Sequence, residues 1–149
     1  MEKLNFPNYD LKLKNKENKP FIFDRIRKKW LRCTPEEWVR THCINYLIET
    51  KGYPASWMRV EQELLVYGTK KRFDIVVTDA FLNPYILVEC KAPTVAINQS
   101  TLEQISRYNL ELNCPFLMMS NGLNHYFCSM DKEQNQISFI ESLPNYTKK

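Results

Sequence analysis

Glycine and histidine are scarce in this chain, with three glycines and two histidines among 149 residues. With so little glycine, and aromatic residues at 13% of the chain, the composition fits neither a disordered segment nor a repeat protein. No apolar run approaches the roughly 20 residues that cross a bilayer, and the opening MEKLNFPNYD lacks the apolar stretch of a secretion signal. The expectation is a cytoplasmic protein that makes no use of a membrane. His42 and His125 alone leave little from which to build a zinc site. The cysteines, Cys33, Cys43, Cys90, Cys114 and Cys128, are odd in number and never spaced Cys-x-x-Cys. They read as buried free thiols in a reducing compartment.

What is present is a mild basic excess, net +4, placed unevenly. Lys12, Lys14, Lys16 and Lys19 crowd the N-terminal segment, then Arg25, Arg27, Lys28, Lys29 and Arg32, and Lys70, Lys71 and Arg72 precede Asp74. Such a surface suits a polyanion, although lysines at this density also occur on ordinary solvated faces.

Residues 1–33 read as an N-terminal arm, extended or partly ordered, in which YDLKL and FIFD pair as a hairpin or lie as an edge strand. A domain over 34–143 and a polar tail over 144–149 follow. The clearest helix start is at Thr34, an N-cap followed by Pro35 and by Glu37 in a capping-box spacing. Val39, Cys43, Tyr46 and Leu47 form its apolar face, and Gly52 is a natural stop. Strands are expected in WMRVEQELLVYG, RFDIVVTD and YILVECKA, then a helix over about 96–112 with Leu102, Ile105, Tyr108 and Leu112 on one side. FLMMSNG and HYFCSM flank an Asn121-Gly122 turn, and QISFIESLP closes the set. Helices against a mixed sheet make this an α/β (α+β) fold.

The strands RFDIVVTD and YILVECKA bring acidic groups together. Residues two apart on a strand share a face, so Glu89 and Lys91 project together while Cys90 points away. Asp74, on the neighbouring strand, reaches the same place. Two carboxylates can hold a hard divalent cation through oxygen, and a lysine can steady a water nucleophile or the charge developing on phosphate. Arg72, two residues before Asp74, should share its face and contact phosphate. Glu61 and Glu63 read as surface residues, with Glu63 the better candidate for the cleft. His125 reads as a hydrogen-bonded histidine rather than a general base.

The order of elements and these residues resemble the PD-(D/E)xK nuclease superfamily, and within it the N-terminal nuclease domain of type I restriction enzyme R subunits. Its signature is an Asp on one core strand and Glu-x-Lys on the next, matched here by Asp74 and Glu89-Cys90-Lys91. PEEWVR resembles a Glu-x-x-x-Arg pattern on the first helix, which points to Glu36 with Arg40, or to Glu37 in place of Glu36. Gln104 and Tyr108 match a Gln-x-x-x-Tyr on the second helix. The resemblance spans about residues 34–128. It implies a restriction-endonuclease-like core and a magnesium-dependent nuclease acting on DNA, with manganese as a substitute. It further implies Asp74, Glu89 and Lys91 as catalytic residues, and Asp74, Glu89, Glu36 and the Cys90 carbonyl as metal ligands. Gln104, Tyr108 and Arg72 would contact nucleic acid. The large R subunits carry a motor after this domain, whereas no Walker-type glycine loop with lysine occurs in this sequence. A non-catalytic nucleic-acid-binding or scaffold domain that keeps the fold is the alternative. A homodimer, or a separate restriction-system subunit as partner, is compatible with either. DNA is not distinguished from RNA, nor endonuclease from exonuclease.

Overall fold

The computed structural model describes residues 1–131, 133–134 and 136–148; Lys149, the end of the expected tail, lies outside them. The N-terminal segment is more ordered than an arm. Strands β1 (Leu13–Lys16), β2 (Lys19–Asp24) and β3 (Lys29–Arg32) form a three-stranded antiparallel sheet in that order. The β1–β2 turn uses Glu17 and Asn18 with φ of 53° and 62°, the left-handed pair that two-residue hairpins favour. Leu4 and Ile22 from this segment are buried in the main core.

Helix α1 (Pro35–Asn45) starts as its signals indicate, the Glu37 N–H donating to Thr34 Oγ1 at 3.1 Å. The reciprocal half of the capping box is not made. The Thr34 N–H donates to the Arg32 carbonyl instead, and the Glu37 carboxylate turns to arginines. A π-helical turn (Tyr46–Thr50) extends α1, and Gly52, at φ +82°, ends it.

The second sheet holds β4 (Met58–Val66), β5 (Thr69–Thr78), β6 (Pro84–Cys90), β7 (Phe116–Ser120), β8 (His125–Asp131) and β9 (Gln136–Ile140), paired in sequence order. All pairs are antiparallel except β6 with β7, which are parallel and joined through helix α2 (Gln99–Leu112), since parallel neighbours need a crossover. The mixed α+β architecture is therefore as expected. Asn98 caps α2, accepting from the Thr101 N–H at 3.0 Å.

Apolar side chains cover both faces of the sheet. Val39 and Cys43 of α1 and Leu47 of the π-helical turn pack with Ile75, Val77, Ile86 and Val88 on one side. Ile105 packs with Phe73, Val76, Leu87 and Leu117 on the other, and Leu102, Tyr108 and Leu112 of α2 lie against that cluster. One irregularity aims the site. Met58 and Val60 belong to the α1-side core, while Leu64 and Val66, an even number of residues further on, belong to the α2-side core. On β5, Phe73 packs on the α2 side while Ile75 and Val77 pack on the α1 side. A regular strand would keep each set on one face. The switch falls between the pairs Val60–Ile75 and Gln62–Phe73, where Glu61 lies opposite Asp74 with φ of 54°.

Candidate active site

The switch in strand alternation leaves Asp74 at the junction of two clefts that share Arg72 as a wall. Thr34, Glu36, Glu37, Arg40, Glu61 and Asp74 line the first. The second is lined by Lys71, Glu89, Lys91, Thr101, Gln104 and Tyr108, together with Ile105 and Met119.

Asp74 is held from two sides. Its Oδ2 accepts the Cys90 N–H at 2.8 Å, and its Oδ1 accepts from Arg40 Nη2 at 2.9 Å. Arg40 is 5% exposed and lies among four carboxylates. It pairs with Glu36 at 3.2 Å, with Glu37 at close range, with Glu61 at 3.9 Å, and with Asp74. Burial works against its charge, but the hydrogen bond to Asp74 and the charges of Glu37 and Asp74 prevail and hold it above the ordinary arginine value. The Arg40 Nε is buried without a hydrogen-bond partner among the described residues. Arg27 extends the network, pairing with Glu37 at 2.9 Å, with Glu61 at 3.5 Å and with the buried Asp24.

Glu89 lies beside Asp74 on the α2 side. Burial, then a hydrogen bond to Asp74 and the charge of Asp74, push its carboxyl up to about 9, against the opposing pull of Lys91 and Lys71. Burial and a neighbouring carboxylate both disfavour the charged form of a carboxyl. Lys91 lines the same cleft as Glu89, and its N–H donates to the Ser120 carbonyl at 2.9 Å, which carries the β6–β7 pairing past Cys90. Cys90 points the other way, into the α1-side core, where its thiol meets that of Cys43 and is raised well above the usual range. All five cysteines are buried, and none is in a disulfide.

On α2, Gln104 Nε2 donates to Tyr108 Oη at 3.0 Å, so these residues, one turn apart, form a single polar edge of the cleft. Lys71 Nζ sits 4.9 Å from the centre of the Tyr108 ring, and Phe73 supports that ring edge-on. His125 is held by Ser120 Oγ at Nδ1 and by the Asn5 carbonyl at Nε2, at 2.7 and 2.6 Å, away from both clefts.

Some site residues were not evident from the sequence. Glu61, not Glu63, lines the acidic cleft, and its backbone is left-handed, with φ of 54°. Lys71 and Thr101 line the second cleft. Lys71 stood out in the sequence only as one member of a basic run.

Whether these groups suit a divalent cation follows from their placement. Among the described residues, no three His, Cys, Asp or Glu side chains are arranged to hold a metal ion. Arg40 Nη2 bridges Glu36 and Asp74, at 3.2 and 2.9 Å. What remains is the Asp74–Glu89 pair, whose side chains adjoin. Two carboxylates fit magnesium, which keeps several waters and binds through one or two carboxylates.

No curated protein matches the chain. The family model described as type I restriction enzyme R protein N terminus (HSDR_N) matches residues 35–144. That span takes in α1, the whole six-stranded sheet and every residue lining the two clefts except Thr34, and the chain belongs to this family.

Proposed function

We propose that the protein is a metal-dependent nuclease of PD-(D/E)xK type that hydrolyses phosphodiester bonds in DNA. The observation that carries the reading is the convergence of Asp74 on β5 with Glu89 and Lys91 on β6, Asp74 accepting the Cys90 N–H at 2.8 Å and Glu89 and Lys91 sharing a cleft with Lys71 and Arg72. Strongly perturbed carboxyls in a cleft mark functional sites more often than structural ones. Asp74, Glu89 and the Cys90 carbonyl would hold magnesium, or manganese in its place. When bound, the ion would neutralise charge on the scissile phosphate and make water acidic enough to attack. Glu89 would serve as a ligand in its ionised form. Lys91, on the same strand face, orients the attacking water and balances the charge growing on phosphate. Arg72 and the Gln104–Tyr108 edge position the strand. Glu36 serves as a partner of Arg40 rather than as a third ligand.

Cleavage of plasmid and single-stranded DNA, in magnesium and in EDTA, tests this. Lys91→Ala is expected to lower the rate by at least about 100-fold, within the range for loss of one charge-stabilising donor. Cutting by Lys91→Ala at the parent rate, or undiminished cutting in EDTA, would sink the assignment. A second reading draws on the salt link from Arg40 to Asp74, which already supplies a positive charge at the site. On that reading the domain binds nucleic acid without turnover, and neither protein cuts while both bind equally well in EDTA.

A further inference from the structure

The outward face of the N-terminal sheet is basic and aromatic, and the nuclease chemistry uses none of it. Residues directly opposite in an antiparallel pair share a face. The register therefore builds two rungs across β1–β3. Lys14, Phe21 and Arg32 form one. Phe23 and Trp30 form the other, with Lys12 alongside through the Phe23 N–H bond to its carbonyl at 3.1 Å. Alternation puts both rungs on the face opposite Ile22, which is fully buried in the core. Lys14 Nζ lies 4.3 Å from the Trp30 ring centre, Lys12 Nζ lies 5.5 Å from that of Phe23, and the two rings meet edge-on at 5.4 Å.

Packing does not account for these rings. Among the described residues, Phe21, Phe23 and Trp30 belong to neither buried cluster, whereas Ile22, between the two phenylalanines, does. Nearby acids leave the charge standing, because Asp24 is buried and paired with Arg27, and Glu17 sits at the hairpin tip. A face that neutralises phosphate and offers rings at the same time complements a single strand. Its bases are unpaired and free to stack, whereas a duplex offers such a surface only its backbone.

We propose that the outer face of β1–β3 binds single-stranded nucleic acid. Phe23 and Trp30 stack on bases, and Lys12, Lys14 and Arg32 contact phosphates. The matched family region begins at residue 35, so this sheet lies outside it. The proposal deepens the nuclease reading by naming the form of substrate, and rests on it only in taking nucleic acid as the ligand.

The test is fluorescence anisotropy in EDTA on the full chain carrying Lys91→Ala, with labelled oligothymidine, oligouridine and a DNA hairpin duplex. Either single strand is expected to bind more tightly than the duplex. Phe23→Ala with Trp30→Ala should lower single-strand affinity by about 10-fold or more while leaving the salt dependence unchanged. Lys14→Gln with Arg32→Gln should instead flatten the salt slope by about 1.4, at roughly 0.7 per phosphate contact on a single strand. Should the double alanine variant fail to fold by circular dichroism, Trp30→Phe against Trp30→Ala carries the same test, the ring-preserving variant binding like the parent. Parent-like binding by the ring-deleted variant, or equal losses on duplex and single strand, would overturn the platform. The nuclease reading fails separately, by cleavage indifferent to Lys91, and none of these binding results depends on it.

Discussion

Arg40 and Glu89 handle the same electrostatic problem from opposite sides of Asp74. Arg40 supplies a buried positive charge, while Glu89 keeps its proton. Taking away Arg40 leaves Asp74 and Glu37 facing each other with no cation between them. Removing one partner of a buried ion pair typically costs about 3–5 kcal/mol. Arg40→Leu is therefore expected to lose about that much stability in urea unfolding, and a loss below 1 kcal/mol would show that the network is loosely solvated. Glu89 carries the opposite expectation. Its folded pKa, about 9, lies above the ordinary 4.5, so its contribution is fully present below about pH 4.5 and is lost as pH rises toward 9. Above pH 4.5 folding must hold a proton that the unfolded chain releases. Glu89→Gln, which is neutral at every pH, should raise stability at pH 7 by about 3 kcal/mol, or roughly 6–12 °C in Tm for a chain of this size. The gain should fade to nothing near pH 4.5 in metal-free melts. A gain independent of pH would mean that Glu89 ionises normally.

At the level of elements, the legible parts were those whose signals are local. Thr34, Pro35 and Glu37 announce α1, and the spacing of Leu102, Ile105, Tyr108 and Leu112 gives the packed face of α2. The strand that carries Glu89 and Lys91 on one side and Cys90 on the other follows from simple alternation. What escaped is set by distant partners or by backbone that side-chain identity does not reveal. Glutamate seldom takes a left-handed φ, so nothing marked Glu61 as the point where β4 changes faces. β3 follows a turn in which Lys28, at φ 55°, stands where a glycine would have been the signal. The Asn121-Gly122 turn shows the opposite case, since a glycine is needed there and is present. Gly122 has φ of +88°, and a Cβ on it would come within 2.7 Å of a Leu4 methyl and 3.1 Å of a Val39 methyl. Gly122→Ala is therefore expected to destabilise by about 1–3 kcal/mol, from overpacking and backbone strain together. Leu4→Ala should recover part of that loss in a double-mutant cycle if the clash is the cause.

For the whole molecule, the boundary of the family match and the boundary of the folded unit differ. The match begins at residue 35, as if the family's domain could stand without the first 34 residues. The packing says otherwise. Leu4 and Ile22 are 4% and 0% exposed in the core that α1 also builds. The Trp38 Nε1–H donates to the Glu2 carbonyl at 2.7 Å, the Asn5 N–H to the Gly122 carbonyl at 2.8 Å, and Arg27 clasps Glu37 and Glu61 at the edge of the acidic cleft. Losing two buried aliphatic side chains alone costs about 3–6 kcal/mol at 1.5–3 each, against a total stability of about 5–15 kcal/mol. Removal of Arg27 then takes a cation away from Glu37 and Glu61, so the cleft loses charge balance together with its cover. A chain beginning at residue 34 is accordingly expected to show no cooperative melt, or one lowered by at least about 10 °C, and to bind a dye for exposed apolar surface. A truncated chain that melts like the parent would make the first sheet an appendage after all. The segment that brings the basic, aromatic face to the molecule is, on this argument, also part of what holds Asp74 and Arg40 in place.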